Sequence, residues 1–145
     1  MCKLIGIDPG KCKCGLVLVD LNLKKVDQAI VLNSEFLPKY VKSLNSLENI
    51  SKVIIGNGTT SKQNIEKLEF IKKDLIIVEE RNSTFRAKKR YFELFPIRGL
   101  KIFLPKEIFV LNKNLDAVSA LVILEDYCNV KFTFSEDIDI KTWLK

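Results

Sequence analysis

Residues 4–10, Leu-Ile-Gly-Ile-Asp-Pro-Gly, decide the fold of this 145-residue chain. A second apolar run of strand length follows at residues 15–20, after a turn that begins at Pro9 and Gly10. The pattern predicts a β-hairpin with a buried first strand. Asp8 is unusual there, because a buried carboxylate is costly unless it is paired or bound to a metal. Two interpretations remain open: an aspartate that only holds the Pro-Gly turn, or a functional acid beside glycines that let other groups approach closely.

The composition is that of a soluble globular protein. Apolar residues make up 47% of the chain and charged residues 29%, and 145 residues suit one domain that buries about two-thirds of its unfolded surface. No run is long enough to span a bilayer, and the chain enters its first strand without a signal peptide. We therefore expect a cytoplasmic protein with no membrane partner.

The charged residues favour an anionic partner and limit the chemistry. The net charge is +6, and nucleic acid is the commonest partner of basic proteins, although many bind none. All four arginines lie in one short segment: Arg81, Arg86, Arg90 and Arg98. Arginine binds phosphate with two parallel hydrogen bonds, which lysine does not. The absence of histidine excludes Ser-His-Asp and Cys-His catalysis and every His-ligated metal site.

The four cysteines are expected to be reduced thiols. Cys2 and Cys14 lie toward opposite ends of the predicted hairpin, roughly 20 Å apart at about 3.4 Å per residue, which is too far for a disulfide or a shared zinc ion. Cys12 and Cys14 lack a second ligand pair, and Cys128 is distant in sequence.

Hydrophobic periodicity predicts three consecutive strands followed by alternating helices and strands. Ser34 is the expected cap of the first helix, with Pro38 in its first turn, and Asn114 is the expected cap of the last. This order predicts a mixed sheet with helices on both faces. Ligand sites in such sheets lie at the carboxyl ends of the parallel strands.

Three polar residues, Asp8, Asn57 and Glu80, follow predicted strands at these carboxyl ends. Their convergence favours a functional site more than any one of them does. Asp116 is predicted in the first turn of the last helix, where an acid also complements the helix dipole, so a purely structural role is an open alternative.

Three sequence blocks resemble the signature blocks of the YqgF/RuvX family, RNase H-fold proteins related to Holliday-junction resolvases. They are residues 7–10 with Gly15, residues 79–84 with Ala87, and residues 115–120. The likeness spans residues 4 to about 128, and residues 90–100 resemble a cyanobacterial-type branch. It implies an α/β, RNase H-like three-layer sandwich: a five-stranded mixed sheet in the order 3-2-1-4-5, with strand 2 antiparallel and helices on both faces. The nuclease domain would be residues 1–128, and residues 129–145 would be its C-terminal extension.

The resemblance also implies that Asp8, Glu80 and Asp116 are the catalytic residues and the metal ligands, with Glu79 as the alternative to Glu80. Oxygen ligands without histidine or clustered thiolates suit Mg²⁺ or Mn²⁺. Such ions can activate water and stabilise the leaving oxygen in phosphodiester hydrolysis.

The chain departs from the resolvases at two positions. Ser119 stands where they carry a fourth carboxylate, and Gly56-Asn57 stands where they have an acid after the fourth strand. Glu80 would lie two strands from Asp8, roughly 9.5 Å at about 4.7 Å per strand. Its long side chain, or a substrate phosphate, must therefore close the gap.

Seven residues are predicted to contact nucleic acid: Lys11, Lys13, Thr59, Thr60, Arg81, Arg86 and Arg90. Arg81 is the best candidate near the scissile group. The alternatives are solvated surface charges for the lysines and arginines, and helix capping for the two threonines.

The resulting prediction is an Mg²⁺- or Mn²⁺-dependent endonuclease that cleaves structured RNA or branched DNA, with 5′-end processing of pre-16S rRNA preferred. The alternatives are a Holliday-junction resolvase and a non-catalytic nucleic-acid-binding module. A further alternative is an actin-like ATPase, but one copy of the fold does not enclose a nucleotide. A homodimer is left open.

Overall fold

A computed structural model describes residues 2–80, 82–105 and 112–143. Within these residues, seven strands and four α-helices follow one another, with short 3₁₀ helices at Glu69–Ile71 and Gly99–Phe103. The elements are β1 (Lys3–Asp8), β2 (Lys13–Asp20), β3 (Lys25–Asn33), α1 (Leu37–Leu47), β4 (Ile50–Gly56), α2 (Ser61–Lys67), β5 (Leu75–Val78), α3 (Ser83–Leu94), α4 (Asn112–Cys128), β6 (Thr133–Phe134) and β7 (Ile140–Trp143).

All seven strands form one mixed sheet. Its order is β5-β4-β1-β2-β3-β6, and β7 also pairs with β3. Strand β2 is antiparallel to both neighbours, whereas β1, β4 and β5 are parallel. The predicted order 3-2-1-4-5 is confirmed, but the prediction of five strands is wrong. The C-terminal segment adds β6 and β7, because β3 would otherwise be an open edge and strands pair there readily.

The sheet has a hydrophobic core on each face, which makes the fold three layers. Alternate residues along β1 and β2 point to opposite faces. Ile5 and Ile7 belong to the core beneath α1, whereas Leu4 belongs to the core beneath α4. Within the described residues, no helix is long and apolar enough to cross a membrane.

Helix α4 packs unusually close to the sheet, because glycines lie beneath it. A Cβ at Gly6 would lie 2.8 Å from the carbonyl oxygen of Ala120, and a Cβ at Gly15 would lie 1.8 Å from that of Asp116. Neither position therefore admits a side chain without moving the helix. The two glycines fix the height at which α4 carries Asp116 over the carboxyl end of β1.

Helix α3, helix α4 and the C-terminal segment are joined by a buried ion pair. The guanidinium of Arg90 donates to both carboxylate oxygens of Glu125, and its Nη2 also donates to the carbonyl of Phe132. Glu125 in turn accepts a hydrogen bond from the Phe132 amide. Because both charges are buried and hydrogen-bonded, removal of one partner alone should lower the free energy of unfolding.

Two predicted helix caps have other roles. The Ser34 hydroxyl donates to the carbonyl of Gly10 at 2.8 Å, and α1 begins three residues later with Pro38 in its first turn, as predicted. Asn114 lies inside α4, which begins at Asn112, and its amide oxygen accepts from Thr142. In both cases a partner distant in sequence takes the polar group that local patterning assigned to a cap. The four cysteines are free thiols, as predicted.

Candidate functional site

The three predicted acids lie at the carboxyl edge of the parallel strands. Asp8 ends β1, Glu80 follows β5 by two residues, and Asp116 lies on α4 above the β1–β2 hairpin. Because α4 begins at Asn112, Asp116 lies beyond the first helical turn. The helix-dipole alternative for Asp116 therefore loses its basis, since that effect falls off after the first turn.

Asp8 is the acid whose pKa is raised by the charges of the other two. Its pKa is raised from 3.8 to about 7, first by burial and then by the negative charges of Glu80 and Asp116, while a hydrogen bond with Ser119 opposes the shift. The carboxyl group of Asp8 therefore interacts electrostatically with both other acids. A buried carboxylate repelled by two neighbours takes up either a proton or a cation, so the site attracts positive charge.

Glu80 reaches the group across β4, the strand between β1 and β5. Its carboxylate occupies the space above Gly56, where a Cβ would lie only 1.7 Å from Oε1. Ser83 donates to Oε2 at 3.3 Å, whereas buried Oε1 has no hydrogen-bond partner among the described residues. Burial raises the Glu80 pKa, and the Ser83 hydrogen bond opposes this. Gly56 therefore makes room for the long side chain that the sequence prediction required.

Asp116 also carries an unsatisfied oxygen. The Lys13 ammonium lies 2.9 Å from its Oδ2, an ion pair without hydrogen-bond geometry, and within the described chain this buried oxygen has no hydrogen-bond partner. Buried polar atoms almost always have hydrogen-bond partners, so two buried carboxylate oxygens without one, on acids whose charges act on Asp8, are available to a ligand.

The donor set fits a hard divalent cation, although it is not a preformed cage. Carboxylate oxygens are the ligands that Mg²⁺ and Mn²⁺ take, and the two orphaned oxygens belong to the predicted ligands. No three acidic or thiol side chains of the described residues are arranged to hold an ion as they stand. Magnesium sites often use one or two carboxylates together with water and substrate phosphate, so this arrangement is compatible with such an ion.

The loop after Asp8 is held from two sides. The Gly10 carbonyl accepts hydrogen bonds from Ser34 and from the buried amide of Asn64 at 3.2 Å. A Cβ at Gly10 would lie 2.0 Å from the carbonyl oxygen of Lys13, so the turn requires glycine. These contacts fix the β1–β2 turn and with it the end of the strand that carries Asp8.

The predicted nucleic-acid contacts of this turn and of α2 differ in exposure. Lys11 is exposed in the turn, and Lys13 pairs with Asp116. Thr59 is exposed, and Thr60 stands at the N-cap of α2 without a side-chain capping hydrogen bond. The capping alternative is thus not seen for Thr60. The contacts of these residues with nucleic acid stay predictions.

The described arginines among the predicted nucleic-acid contacts form ion pairs within the protein. Arg81 lies outside the described residues. Arg86 pairs with Asp126, ten residues and about 15 Å along α4 from Asp116. Arg90 is 9% exposed and bound by Glu125, so it has a structural role instead of the predicted phosphate contact. Both predicted roles of Arg90, a nucleic-acid contact and a solvated surface charge, need an outward side chain, but its length lets it reach inward to a buried acid.

Sequence reasoning missed the supporting residues of the site. Gly56 was noted only as a departure from the resolvases, and Ser83 and Asn64 were not singled out. Asn64 had a detectable signal, because Ser61, Asn64 and Leu68 share the buried stripe of one short helix and its following turn. A polar side chain on a buried stripe indicates a specific hydrogen bond. Gly56 gave no such signal, since its role depends on a side chain from another strand.

Comparisons with known proteins support the fold. No protein-family model matches the chain, and no curated protein matches it. Among solved structures, a Thermus thermophilus RuvC structure is similar with a TM-score of 0.53 and 11% identity over 86% of this chain and 93% of RuvC. T. thermophilus RuvC in complex with a Holliday junction substrate matches with a TM-score of 0.51 and 10% identity over 91% of this chain and 99% of that one. The chain therefore shares the RNase H-like α/β fold of RuvC.

Proposed function

We propose that this protein is a divalent-metal-dependent endonuclease acting on structured nucleic acid. The observation that carries the proposal is the partly buried Asp8, whose carboxyl group experiences the negative charges of Glu80 and Asp116 at the carboxyl edge of the parallel strands. Each of these two acids has a buried carboxylate oxygen without a hydrogen-bond partner among the described residues. Membership of the YqgF/RuvX family, which the three sequence blocks predict, is part of the same proposal. The basic net charge of +6 agrees with a polyanionic substrate.

Asp8, Glu80 and Asp116 would hold the ion. When bound, Mg²⁺ or Mn²⁺ supplies the Lewis acidity for attack of water on phosphorus and for departure of the leaving oxygen. The protein supplies the positions: Ser83 orients Glu80, and Ser119 orients Asp8. Lys13 offsets the negative charge of Asp116 and stands where it can meet a substrate phosphate. Asp8 would have to be ionised to act as a ligand, so ion binding would displace the proton from the fraction of Asp8 carboxyl groups that carry one.

Two substrates follow from two kinds of support. The family that the sequence blocks resemble points both to the 5′ end of pre-16S rRNA and to branched DNA, and we propose the rRNA as the first substrate to test. The likeness to RuvC in complex with a Holliday junction substrate favours branched DNA as the second. A cytoplasmic location agrees with either substrate. A second copy of the chain is a further proposed partner, which sedimentation would test.

The test is a cleavage assay on both substrates with Mg²⁺, Mn²⁺ or EDTA, using wild type and Asp8→Asn. We expect cutting of at least one substrate by wild type with either metal, none with EDTA, and a loss of at least about 10³-fold in the variant, as for removal of a principal electrostatic group. Mn²⁺ should also raise the melting temperature of wild type at pH 8 but not that of Asp8→Asn.

The non-catalytic alternative gives a different result. A binding module would bind the substrates without metal-dependent cleavage, and Asp8→Asn would bind them as wild type does. That outcome would reject the nuclease and retain the nucleic-acid-binding fold. Titration with ATP distinguishes the actin-like alternative, for which we expect no binding, since a single half-site does not enclose a nucleotide.

A further inference from the structure

A positive charge of the protein itself lies beside the proposed metal ligands. The ammonium of Lys13 lies 2.9 Å from Asp116 Oδ2, and the two side chains are 39% and 28% exposed. The ion pair is therefore partly shielded from water, and partly buried charges are screened less than exposed ones. This contact differs from the exposed surface ion pairs that contribute little, because Asp116 Oδ2 is itself buried.

The sheet fixes the position from which Lys13 reaches this acid. Lys13 is the first residue of β2 and pairs with Asn33 of β3. Side chains two residues apart on a strand point to the same face, and Gly15, two residues later, lies directly beneath the carbonyl oxygen of Asp116. Lys13 therefore lies on the face of the sheet that α4 covers. Its own carbonyl packs against Gly10, so the β1–β2 turn holds its backbone.

The charges of the site balance with a single divalent ion. The proposed ligands Asp8, Glu80 and Asp116 carry one negative charge each when ionised, and Lys13 carries one positive charge. One Mg²⁺ or Mn²⁺ makes the sum zero, whereas two ions would make it positive. The affinity of a carboxylate site for a hard cation depends on the number of charges among its ligands. A second ion would therefore meet no net attraction.

The ligands for a second ion are also few. Among the residues that the structure describes, acids and thiols do not form a ready group of three. The side chain next to Asp8 on α4 is the neutral Ser119, which hydrogen-bonds to it. A carboxylate offers about four lone-pair sites, so Asp116 can face an ion and the Lys13 ammonium at the same time.

We propose that the Lys13 ammonium takes the place of a second metal ion, so that the site binds one divalent ion per chain. The proposal rests on the metal-dependent function above and specifies its number of ions. Where two metal ions act together, they stabilise the attacking and the leaving oxygens of a phosphodiester. Here the ammonium supplies the second positive charge. Lys13 is thus a positioning residue that acts through Asp116 and sets the number of ions.

The test counts the Mn²⁺ ions that the full chain binds at pH 8 without substrate, by calorimetry and by electron paramagnetic resonance of the unbound ion. We expect one ion per chain for wild type and two for Lys13→Met, which keeps the length of the side chain but removes its charge. The first ion should bind Lys13→Met about 10-fold more tightly, because the repulsion from the ammonium is absent. Lys13→Arg keeps the charge and should bind one ion. Lys13→Gln is the second neutral variant if Lys13→Met does not fold.

The matched control is Lys11→Met, which removes the same charge from the same turn. Lys11 is exposed and forms no ion pair with any residue that the structure describes. This variant should bind one Mn²⁺ ion with the affinity of wild type. A second measurement is the Mn²⁺ concentration at half-maximal cleavage. It should be about 10-fold higher for Lys13→Met than for wild type, because a second, weaker ion must replace the ammonium, and it should be unchanged for Lys13→Arg.

Three results would overturn the role of Lys13 and leave the proposed nuclease intact. They are two Mn²⁺ ions per wild-type chain, one ion per chain in both neutral variants, and an equal effect of Lys11→Met, which would make the change one of net charge alone. A wild-type chain that binds no Mn²⁺ would instead overturn the proposed metal-dependent function itself. The number of ions bound by wild type therefore separates the two failures.

Discussion

Replacement of Gly56 by alanine is the sharpest test of how Glu80 reaches the other acids. An added Cβ would lie 1.7 Å from Glu80 Oε1, and ordinary contacts begin at 3.4 Å. The carboxylate must therefore move away by about 1.7 Å, the difference between these two distances. Because the obstructing atom is the end of a flexible side chain and not backbone, we expect the free energy of unfolding to fall by less than about 1 kcal/mol, a typical effect of a tolerated substitution.

Activity should respond much more strongly than stability. A misplacement of about 1 Å in a catalytic group costs about 10²-fold in rate, so Gly56→Ala should lose at least about 10²-fold in metal-dependent cleavage. It should also bind Mn²⁺ more weakly by calorimetry. Cleavage rates, Mn²⁺ affinity and urea unfolding measured on the same preparation separate the two effects.

Gly58→Ala is the matched control, because a Cβ there would lie 3.6 Å from the same oxygen, an ordinary contact. This variant should cleave within about 2-fold of wild type, since nothing has to move. The reasoning is refuted if Gly56→Ala cleaves and binds Mn²⁺ like wild type. It is also refuted if Gly58→Ala is impaired to the same degree.

Two further predictions concern stability. Because the pKa of Asp8 is raised from 3.8 to about 7, the folded protein binds more protons than the unfolded chain between pH 4 and 7, and wild-type stability falls as the pH rises through this window. In metal-free urea unfolding at pH 8, the free energy of unfolding of Asp8→Asn should therefore exceed that of wild type by up to about 4 kcal/mol, at about 1.4 kcal/mol per pKa unit. An equal difference at pH 4 would contradict the raised pKa of Asp8. Arg90→Met should cost about 3 kcal/mol, because buried Glu125 loses its principal cationic partner and keeps only the Phe132 amide and the exposed Lys131 ammonium at 3.5 Å. Adding Glu125→Met should recover most of the loss, and a free energy of unfolding of the single variant within about 1 kcal/mol of wild type would count against the ion pair.

Much of the fold could be predicted from local pattern. The apolar run at residues 4–7 fits only a buried strand, and alternating strands and helices after residue 33 lead to parallel pairing with helices on both faces. The order of the first five strands followed from the family resemblance and is confirmed. Strands β6 and β7 were not predicted as part of the sheet, because they are short and are held by pairing with β3, which no local signal reports.

For the candidate site, the sequence by itself determined which acids follow which strands, because the end of a strand and its turn are local features. Whether those acids lie close enough to interact electrostatically was decided only by the tertiary structure. The height of α4 depends on Gly6 and Gly15, and the path of Glu80 depends on Gly56. A glycine admits a distant group by having no side chain, so its contribution exists only once the chain has folded around it.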